Sequence, residues 1–199
     1  IPEFSWPYGV VSTLSYDENR LRTAVYLANR RVYRTAESHD DYVGMGTTVV
    51  AVLATAGALV VAHVGDSRAY RMRSGQLDQL TRDDSWMATV LADDPAADPE
   101  SLANHPMRNV LTNALGAREN IEVHLQDHAC LPGDIVLVCT DGIHGVLAAS
   151  SIATALAKAL AQDSDVDAVA AELLTAALGQ GSRDNVTALV IAIPTTGIR

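Results

Sequence analysis

The chain has 199 residues, enough for one domain with a substantial core, and its 48% hydrophobic and 19% charged residues are typical of globular proteins. Its net charge of −10 argues against nucleic acids and anionic membranes as main partners, and no apolar run approaches the length of a membrane span. The only cysteines, Cys130 and Cys139, lack metal-site spacing and favour a reducing cytoplasm.

The first predicted element is a helix that begins after Ser15. The stretch Ser15-Tyr16-Asp17-Glu18 fits a capping box, and apolar residues then recur at helical spacing to about residue 36. Five arginines decorate this helix: Arg20, Arg22, Arg30, Arg31 and Arg34. They fit either a docking patch for acidic partners or a solvated polar face, and we favour the solvated face.

Strands are predicted next. Residues 47–55 and 59–64 are β-branched and apolar, and Ala56-Gly57 joins them. Further strands are predicted over 69–72 and 76–80, separated by a turn, so this part of the chain indicates an antiparallel meander.

The second half of the chain mixes helices and strands. Prolines and acidic residues over 83–110 predict short helices and loops. The remaining predicted elements are strands over 121–125, 135–139 and 186–193 and helices over 149–161 and 165–178. Because strand blocks and helix blocks are segregated, the pattern indicates an α+β fold.

Three short motifs place an aspartate beside a predicted strand: Val64-Gly65-Asp66-Ser67-Arg68, Cys139-Thr140-Asp141-Gly142 and Gly181-Ser182-Arg183-Asp184-Asn185. Carboxylates that converge at strand ends suit Mg²⁺ or Mn²⁺, which can activate water against a phosphate. The alternative is that each aspartate only shapes a turn, and this alternative is strongest for Asp66.

Four histidines are further candidates. His144 follows Asp141 by three residues and suits a general acid, although a solvent-facing loop histidine is the preferred interpretation. His124 and His128 share one face of a predicted strand, which indicates a polar face more than a zinc site. His63 lies in an apolar run and is predicted to be a core or interface residue.

The chain resembles the protein phosphatase 2C family of metal-dependent serine/threonine phosphatases. Six stretches between residues 44 and 193 match family motifs in the family's order: Gly44 to Thr48, Val64 to Tyr70, Leu80 to Asp83, Leu111 to Gly116, Leu137 to Gly142 and Gly181 to Thr187.

The resemblance implies a four-layer αββα sandwich of two antiparallel sheets flanked by helices, formed by residues 1–199 as a single domain. Residues 1–4 look like a cloning remnant. The resemblance also implies that Asp141 and Asp184 are metal ligands and that Asp66 helps to hold a further, weaker metal. Structural support is expected from Asn185, Gly142 and Ser67, and no catalytic residue is identified.

The chain departs from the family pattern in two places. The family opens with strands that carry Asp-Gly-Met-Gly-Gly, whose aspartate bridges two metals, whereas Val43 precedes Gly44-Met45-Gly46 here. Gly145 stands where the family usually has a second carboxylate for the weaker metal. We therefore expect a member without its first strands, by natural truncation or as a piece of a longer chain, and weak binding of Mn²⁺ or Mg²⁺.

Two functions follow from the resemblance. The first is a signalling phosphatase that hydrolyses phosphoserine and phosphothreonine through a metal-activated water. The second is an inactive pseudophosphatase that serves as a protein-binding or regulatory module. The expected partner is a phosphoprotein or a regulatory protein, and a homodimer or a swapped element is one way to cover the sheet edges that missing strands would expose.

Overall fold

The computed structural model describes residues 6–160 and 165–196, so residues 1–4 and the last predicted residue of the helix over 149–161 lie outside the described part. In chain order its elements are α1 (Tyr16–Ser38), β1 (Val49–Ala54), β2 (Ala58–Val64), β3 (Arg68–Arg73), β4 (Gln76–Gln79), α2 (Trp86–Asp93), α3 (Pro99–Ala103), β5 (His124–Ala129), β6 (Ile135–Cys139), α4 (Asp141–His144), α5 (Ala149–Lys158), α6 (Val166–Gly179) and β7 (Ala188–Ala192).

The strands form two antiparallel sheets with flanking helices, which confirms the predicted α+β class. One sheet has the order β1-β2-β5 and the other β4-β3-β6-β7. In the four-stranded sheet Arg68 pairs with Cys139, and Cys139 pairs in turn with Ala188. No helix in the described ranges combines the length and the apolar character needed to cross a bilayer.

The described chain divides into two compact units. The first takes residues 6–53, 62–66 and 82–126, and the second takes 54–61, 67–81, 127–160 and 165–196. The assignment of the whole chain to a single domain therefore stays a prediction.

Helix α1 begins where the capping box predicts. The hydroxyl of Ser15 accepts a hydrogen bond from the backbone N–H of Glu18 at 3.2 Å, and the Glu18 carboxylate accepts one from the N–H of Ser15 at 2.7 Å. The helix buries Val25 and Ala36, and the amide group of buried Asn29 bonds the backbone between residues 116 and 119. These bonds fix α1 within the first unit.

The core of the second unit lies between the four-stranded sheet and the helices α5 and α6. Its fully buried side chains include Leu137 from β6, Ile143 from α4, Leu156 from α5 and Leu173 from α6. The sheet therefore carries the helices on a continuous apolar face, and the same strands lead into the aspartate motifs at one end.

Two predicted strands have other bounds in the structure: β7 is shorter than predicted, and β5 lies at 124–129 instead of 121–125. The last strand begins at Ala188 instead of residue 186, and Leu189 is 55% exposed although a fully buried strand was predicted. Leu189 and the buried Val190 alternate across β7, so only one face of this strand contacts the core. Ile121 and Val123 precede β5 and are nevertheless partly buried. The alternation of apolar and polar residues therefore predicted which side chains are buried, although these two lie outside the strand.

Leu137 should contribute more to stability than its neighbour Val138. Leu137 is 0% exposed, whereas Val138 is only half-buried, contrary to the full burial predicted for that strand. Leu137→Ala should lower the free energy of unfolding by about 2–5 kcal/mol, because it leaves a cavity in the core. Val138→Ala should cost about 1 kcal/mol. Urea unfolding of both variants tests this, and equal losses would contradict the assignment of the two faces.

Candidate metal centre

Asp141 lies directly beyond the end of β6. The strand ends at Cys139, Thr140 is the extended residue before α4, and Asp141 is the first helical residue and half-buried. The hydroxyl of Thr140 donates to the carbonyl oxygen of Asn185 at 3.1 Å and accepts from the N–H of Thr187 at 3.1 Å. The loop of Asp141 is thereby tied to the segment that enters β7.

Gly142 presses directly against the backbone that follows Asp184. A Cβ atom at Gly142 would collide with the carbonyl oxygen of Asn185 and would lie only 3.0 Å from its carbonyl carbon. Only glycine therefore fits without a backbone shift. Two of the three residues expected to support the site thus touch each other, and Asp141 and Asp184 are their neighbours in the chain.

Asp184 is exposed to solvent. Its Oδ1 accepts a hydrogen bond from the N–H of Asn185 at 2.7 Å, which is a local contact of the kind that shapes turns. This contact uses one carboxylate oxygen. The assignment of Asp184 as a metal ligand beside Asp141 remains a prediction.

Asp66 and Ser67 follow β2 at the boundary between the two units. Asp66 is half-buried and belongs to the first unit, whereas buried Ser67 belongs to the second and leads into β3. The predicted role of Asp66 at a weaker metal and that of Ser67 as structural support remain predictions.

Gly145 lies in a tight turn directly after Asp141 and α4. A Cβ atom there would lie 2.6 Å from the carbonyl oxygen of Asp141, which is closer than such atoms approach. Gly145 also donates its N–H to that same oxygen at 2.7 Å. A side chain at this position would therefore require the turn after Asp141 to open.

The number of donors and the strength of metal binding expected for this region remain predictions. In the described ranges no group of three or more histidine, cysteine, aspartate or glutamate side chains is arranged to hold a metal ion. Two carboxylates with water in the remaining positions suit Mg²⁺ or Mn²⁺ weakly, because affinity grows with the number of charged ligands.

His144 lies at the last position of α4 and is half-buried. It lines a cavity of about 320 Å³ in the second unit, together with Arg68, Tyr70 and Gln79 from the sheet. Arg68 donates to the hydroxyl of Tyr70 at 3.0 Å. The position of His144 at a cavity wall differs from the solvent-facing loop that the sequence indicated.

The first unit contains a polar cluster that the sequence does not predict. Asp84 accepts hydrogen bonds from the N–H of Gly65 at 2.9 Å and from the side-chain amide of Asn113 at 2.8 Å, and its Oδ1 lies 2.8 Å from Nε2 of His124. The ring of His124 stacks on His63 with 4.9 Å between the centroids. Asp84 thus connects three chain segments, and no local sequence motif indicates that it does so.

His63 is buried, as the apolar run around it predicts, with 1% exposure. Its Nε2 lies 2.8 Å from the carbonyl oxygen of Arg82, and its Nδ1 has no hydrogen-bond partner. Burial lowers the pKa of His63, although the contact with Arg82 opposes this effect. The neutral ring is therefore the form that the folded chain favours.

This burial predicts a loss of stability in acid. The unfolded chain protonates His63 near pH 6.5, whereas the folded chain resists protonation until the pH falls to its lowered pKa. The free energy of unfolding should therefore decrease as the pH falls from about 7.5 to about 5.5. Urea unfolding across this range should show a smaller decrease for His63→Phe than for the parent. A control, exposed His39→Gln, should match the parent, and an identical slope in all three would contradict the prediction.

Comparison with known proteins relates this geometry to a family. The model of the family described as protein phosphatase 2C matches residues 11–185. The chain is 36% identical over 171 residues to the serine/threonine protein phosphatase PstP of Mycobacterium tuberculosis, covering 86% of this chain and 32% of that protein. It is 32% identical over 176 residues to the serine/threonine phosphatase stp of Listeria monocytogenes, covering 87% of this chain and 67% of that protein.

Solved structures show the same similarity. The Staphylococcus aureus serine/threonine phosphatase Stp1 superimposes with a TM-score of 0.79 at 29% identity, covering 90% of this chain and 69% of that one. The catalytic domain of PstP in complex with two manganese ions gives a TM-score of 0.74 at 34% identity, covering 87% and 69%. The chain therefore spans about a third of the mycobacterial relative's full length and about two thirds of the Listeria relative.

Proposed function

Because the chain belongs to the protein phosphatase 2C family, we propose that it acts as a metal-dependent phosphatase domain on phosphoserine and phosphothreonine in proteins. The observation that supports this most is the contact between Gly142 and the backbone of Asn185. It brings together the two loops whose aspartates, Asp141 and Asp184, the family resemblance makes metal ligands.

Three residues of these loops have a part in the proposed chemistry. Asp141 and Asp184 hold the cation, and the two hydrogen bonds of the Thr140 hydroxyl keep their loops in register. When bound, Mn²⁺ or Mg²⁺ supplies an activated water and charge stabilisation for in-line attack on the phosphoryl group. No side chain is proposed to form a covalent intermediate.

We propose that the cation is held weakly. Asp184 is exposed, so its carboxylate remains hydrated, and Gly145 contributes no ligand. The mycobacterial relative is described with two manganese ions. For this chain we propose a single cation at Asp141 and Asp184, with Asp66 as a candidate for a second, weaker position.

The second candidate function is that of a pseudophosphatase that binds a phosphoprotein or a regulatory protein. The motive for this candidate is the sequence, which has Val43 in the place of the family's bridging aspartate. A second copy of this chain is a further proposed partner, because β7 is an outer strand with the exposed Leu189. Cys130 and Cys139 are both buried thiols, which supports a proposed location in the reducing cytoplasm.

Titration calorimetry with Mn²⁺ tests the assignment of the ligands. Asp141→Asn and Asp184→Asn should each weaken Mn²⁺ binding by at least about tenfold, since each removes one of two carboxylates. Asp93→Asn makes the same change of charge at an exposed position outside the motifs and should leave the affinity unchanged. Equal affinity in all four proteins would refute the site.

Gly142→Ala tests the contact between the loops. The added methyl group has to displace the backbone of Asn185, so the variant should lose about 1–3 kcal/mol of stability and bind Mn²⁺ more weakly. Gly179→Ala is the matched control, because a Cβ atom at Gly179 meets no atom within 4 Å at the end of α6. Thermal unfolding and calorimetry should separate the two, and an unaltered Gly142→Ala protein would show that the loops are not held together there.

A further inference from the structure

A basic groove runs along the outer face of α1. We call it the α1 arginine groove and define it by Arg30, Arg31 and Arg34 with Leu27, Thr35 and Ser38, which line a cavity of about 470 Å³. These positions recur at three- and four-residue spacing, so they form one continuous stripe of the helix. The groove lies within the first unit of the chain.

The groove faces away from the core. The buried stripe of α1 contains Val25, Asn29 and Ala36, and none of these lines the groove. Leu27 is 38% exposed and adds an apolar surface between the arginines. A polar groove with an apolar wall suits a chain that has both charged groups and aliphatic atoms.

Two of the three arginines in the groove have no acidic partner in the described ranges, and the third, Arg30, lies over the ring of Tyr8 at 6.0 Å. Arg31 and Arg34 form no ion pair with any residue in the described ranges, and Glu37, three residues after Arg34, does not pair with it either. Arg20, on the same helix but outside the groove, does pair with Asp17 at 3.0 Å. Such a pair offsets the charge of Arg20, whereas the charges of Arg31 and Arg34 are available to a partner.

The clustering of like charges opposes helix formation. Arg30 and Arg34 are four residues apart and Arg31 and Arg34 three, which are the spacings at which like charges repel on a helix. Five of the chain's fourteen basic residues lie on α1, although the whole chain carries −10. An anionic partner in the groove would remove this repulsion, whereas most of the remaining surface would repel such a partner.

We propose that the α1 arginine groove is a docking site for an extended acidic segment of another protein. Guanidinium groups bind carboxylates through paired hydrogen bonds, and Leu27 can contact the aliphatic atoms of glutamate side chains. A nucleic acid fits less well, because its high charge density would meet the net charge of −10. The proposal does not depend on whether the chain hydrolyses phosphate esters.

Fluorescence anisotropy with a labelled short poly-glutamate peptide tests the proposal. The parent should bind at low ionic strength and lose most of its affinity at about 0.5 M salt. Arg31→Glu/Arg34→Glu should bind about tenfold more weakly than the parent. Arg108→Glu/Arg118→Glu makes the same change of net charge at exposed positions outside the groove and should bind within about twofold of the parent.

Three results would overturn the proposal: no binding by the parent at low salt, equal weakening in the two reversed pairs, or tighter binding of an oligothymidylate of equal charge. Arg31→Gln/Arg34→Gln provides a second variant without charge reversal and should weaken the peptide by a smaller factor. Because both side chains point to solvent, circular dichroism melting should show all variants folded. The expected pattern supports an acidic protein segment as the ligand.

Discussion

The isolated chain should hydrolyse p-nitrophenyl phosphate slowly or not at all, even with millimolar Mn²⁺. A hydroxide shared by two cations requires a carboxylate that bridges them and offsets their repulsion. Val43 stands where the family places its bridging aspartate, and in the described part of the chain no group of three or more acidic, histidine or cysteine side chains is arranged to hold a metal ion. One weakly held cation polarises a phosphate but generates and positions hydroxide less well.

Asp141→Ala is the control for this assay. Robust Mn²⁺-dependent turnover by the parent that Asp141→Ala abolishes would show the prediction to be wrong, and a residue not identified here would then take the place of the bridging carboxylate. Equal silence of the two proteins, together with retained binding of a phosphoprotein by the parent, would favour the binding module over the enzyme. Calorimetry with Mn²⁺ separates a lost cation from a bound but unproductive one.

Arg73→Ala should destabilise the second unit by about 3 kcal/mol. Asp134 is 1% exposed, and Nε and Nη2 of Arg73 donate to its two oxygens at 2.7 Å each. Without Arg73 the carboxylate stays buried and loses its cation, which costs more than the pair itself contributes. We expect a loss of stability at the lower end of the range for removing one partner of a buried ion pair, because the side chain of Arg73 is 26% exposed.

The ion pair of Arg73 and Asp134 should also make the free energy of unfolding depend on pH in acid. Burial alone would raise the pKa of Asp134, but the hydrogen bonds from Arg73 and from the N–H of Leu131 outweigh it and lower the pKa. A lowered pKa means that this stabilisation is present above about pH 4 and is lost as the pH falls through the folded-state value. In Arg73→Ala the pKa of Asp134 should rise, so acid unfolding should begin at a higher pH.

The pair of Arg71 and Asp78, whose carboxylate is more exposed than that of Asp134, provides the comparison. Their side chains are 2.8 Å apart and partly solvated, so Arg71→Ala should cost about 1 kcal/mol or less. Urea unfolding of both arginine variants should show the larger loss for Arg73. Equal losses of free energy of unfolding in the two variants would mean that the burial of the Asp134 carboxylate does not increase the cost of removing its partner.

Elements with local signals were predictable from the sequence. The capping box at Ser15 placed the start of α1, and β-branched runs placed β1, β2 and β6 close to their observed bounds. The exposure of Leu189 was not predictable, because an apolar residue on an outer strand has the same local pattern as a buried one.

The candidate site was only partly predictable for the same reason. The motifs drew attention to Asp141 and Asp184, but the sequence does not reveal that Gly142 touches Asn185 or that Gly145 has no room for a side chain. The link between Asp84 and His124 joins residues 40 positions apart, and no periodicity or short motif encodes such a pair. These features depend on tertiary packing that local patterns do not specify.

The bond between the Thr140 hydroxyl and the Asn185 carbonyl has a consequence for the order of folding. It spans 45 positions, and the neighbouring bond to Thr187 spans 47. Closing so long a loop is slow relative to forming a helix, and α5 and α6 lie within it. During synthesis, β6 and both helices emerge before the residues of β7 are available to pair with Cys139. The loops of Asp141 and Asp184 therefore meet late in folding, after α5 and α6 have formed.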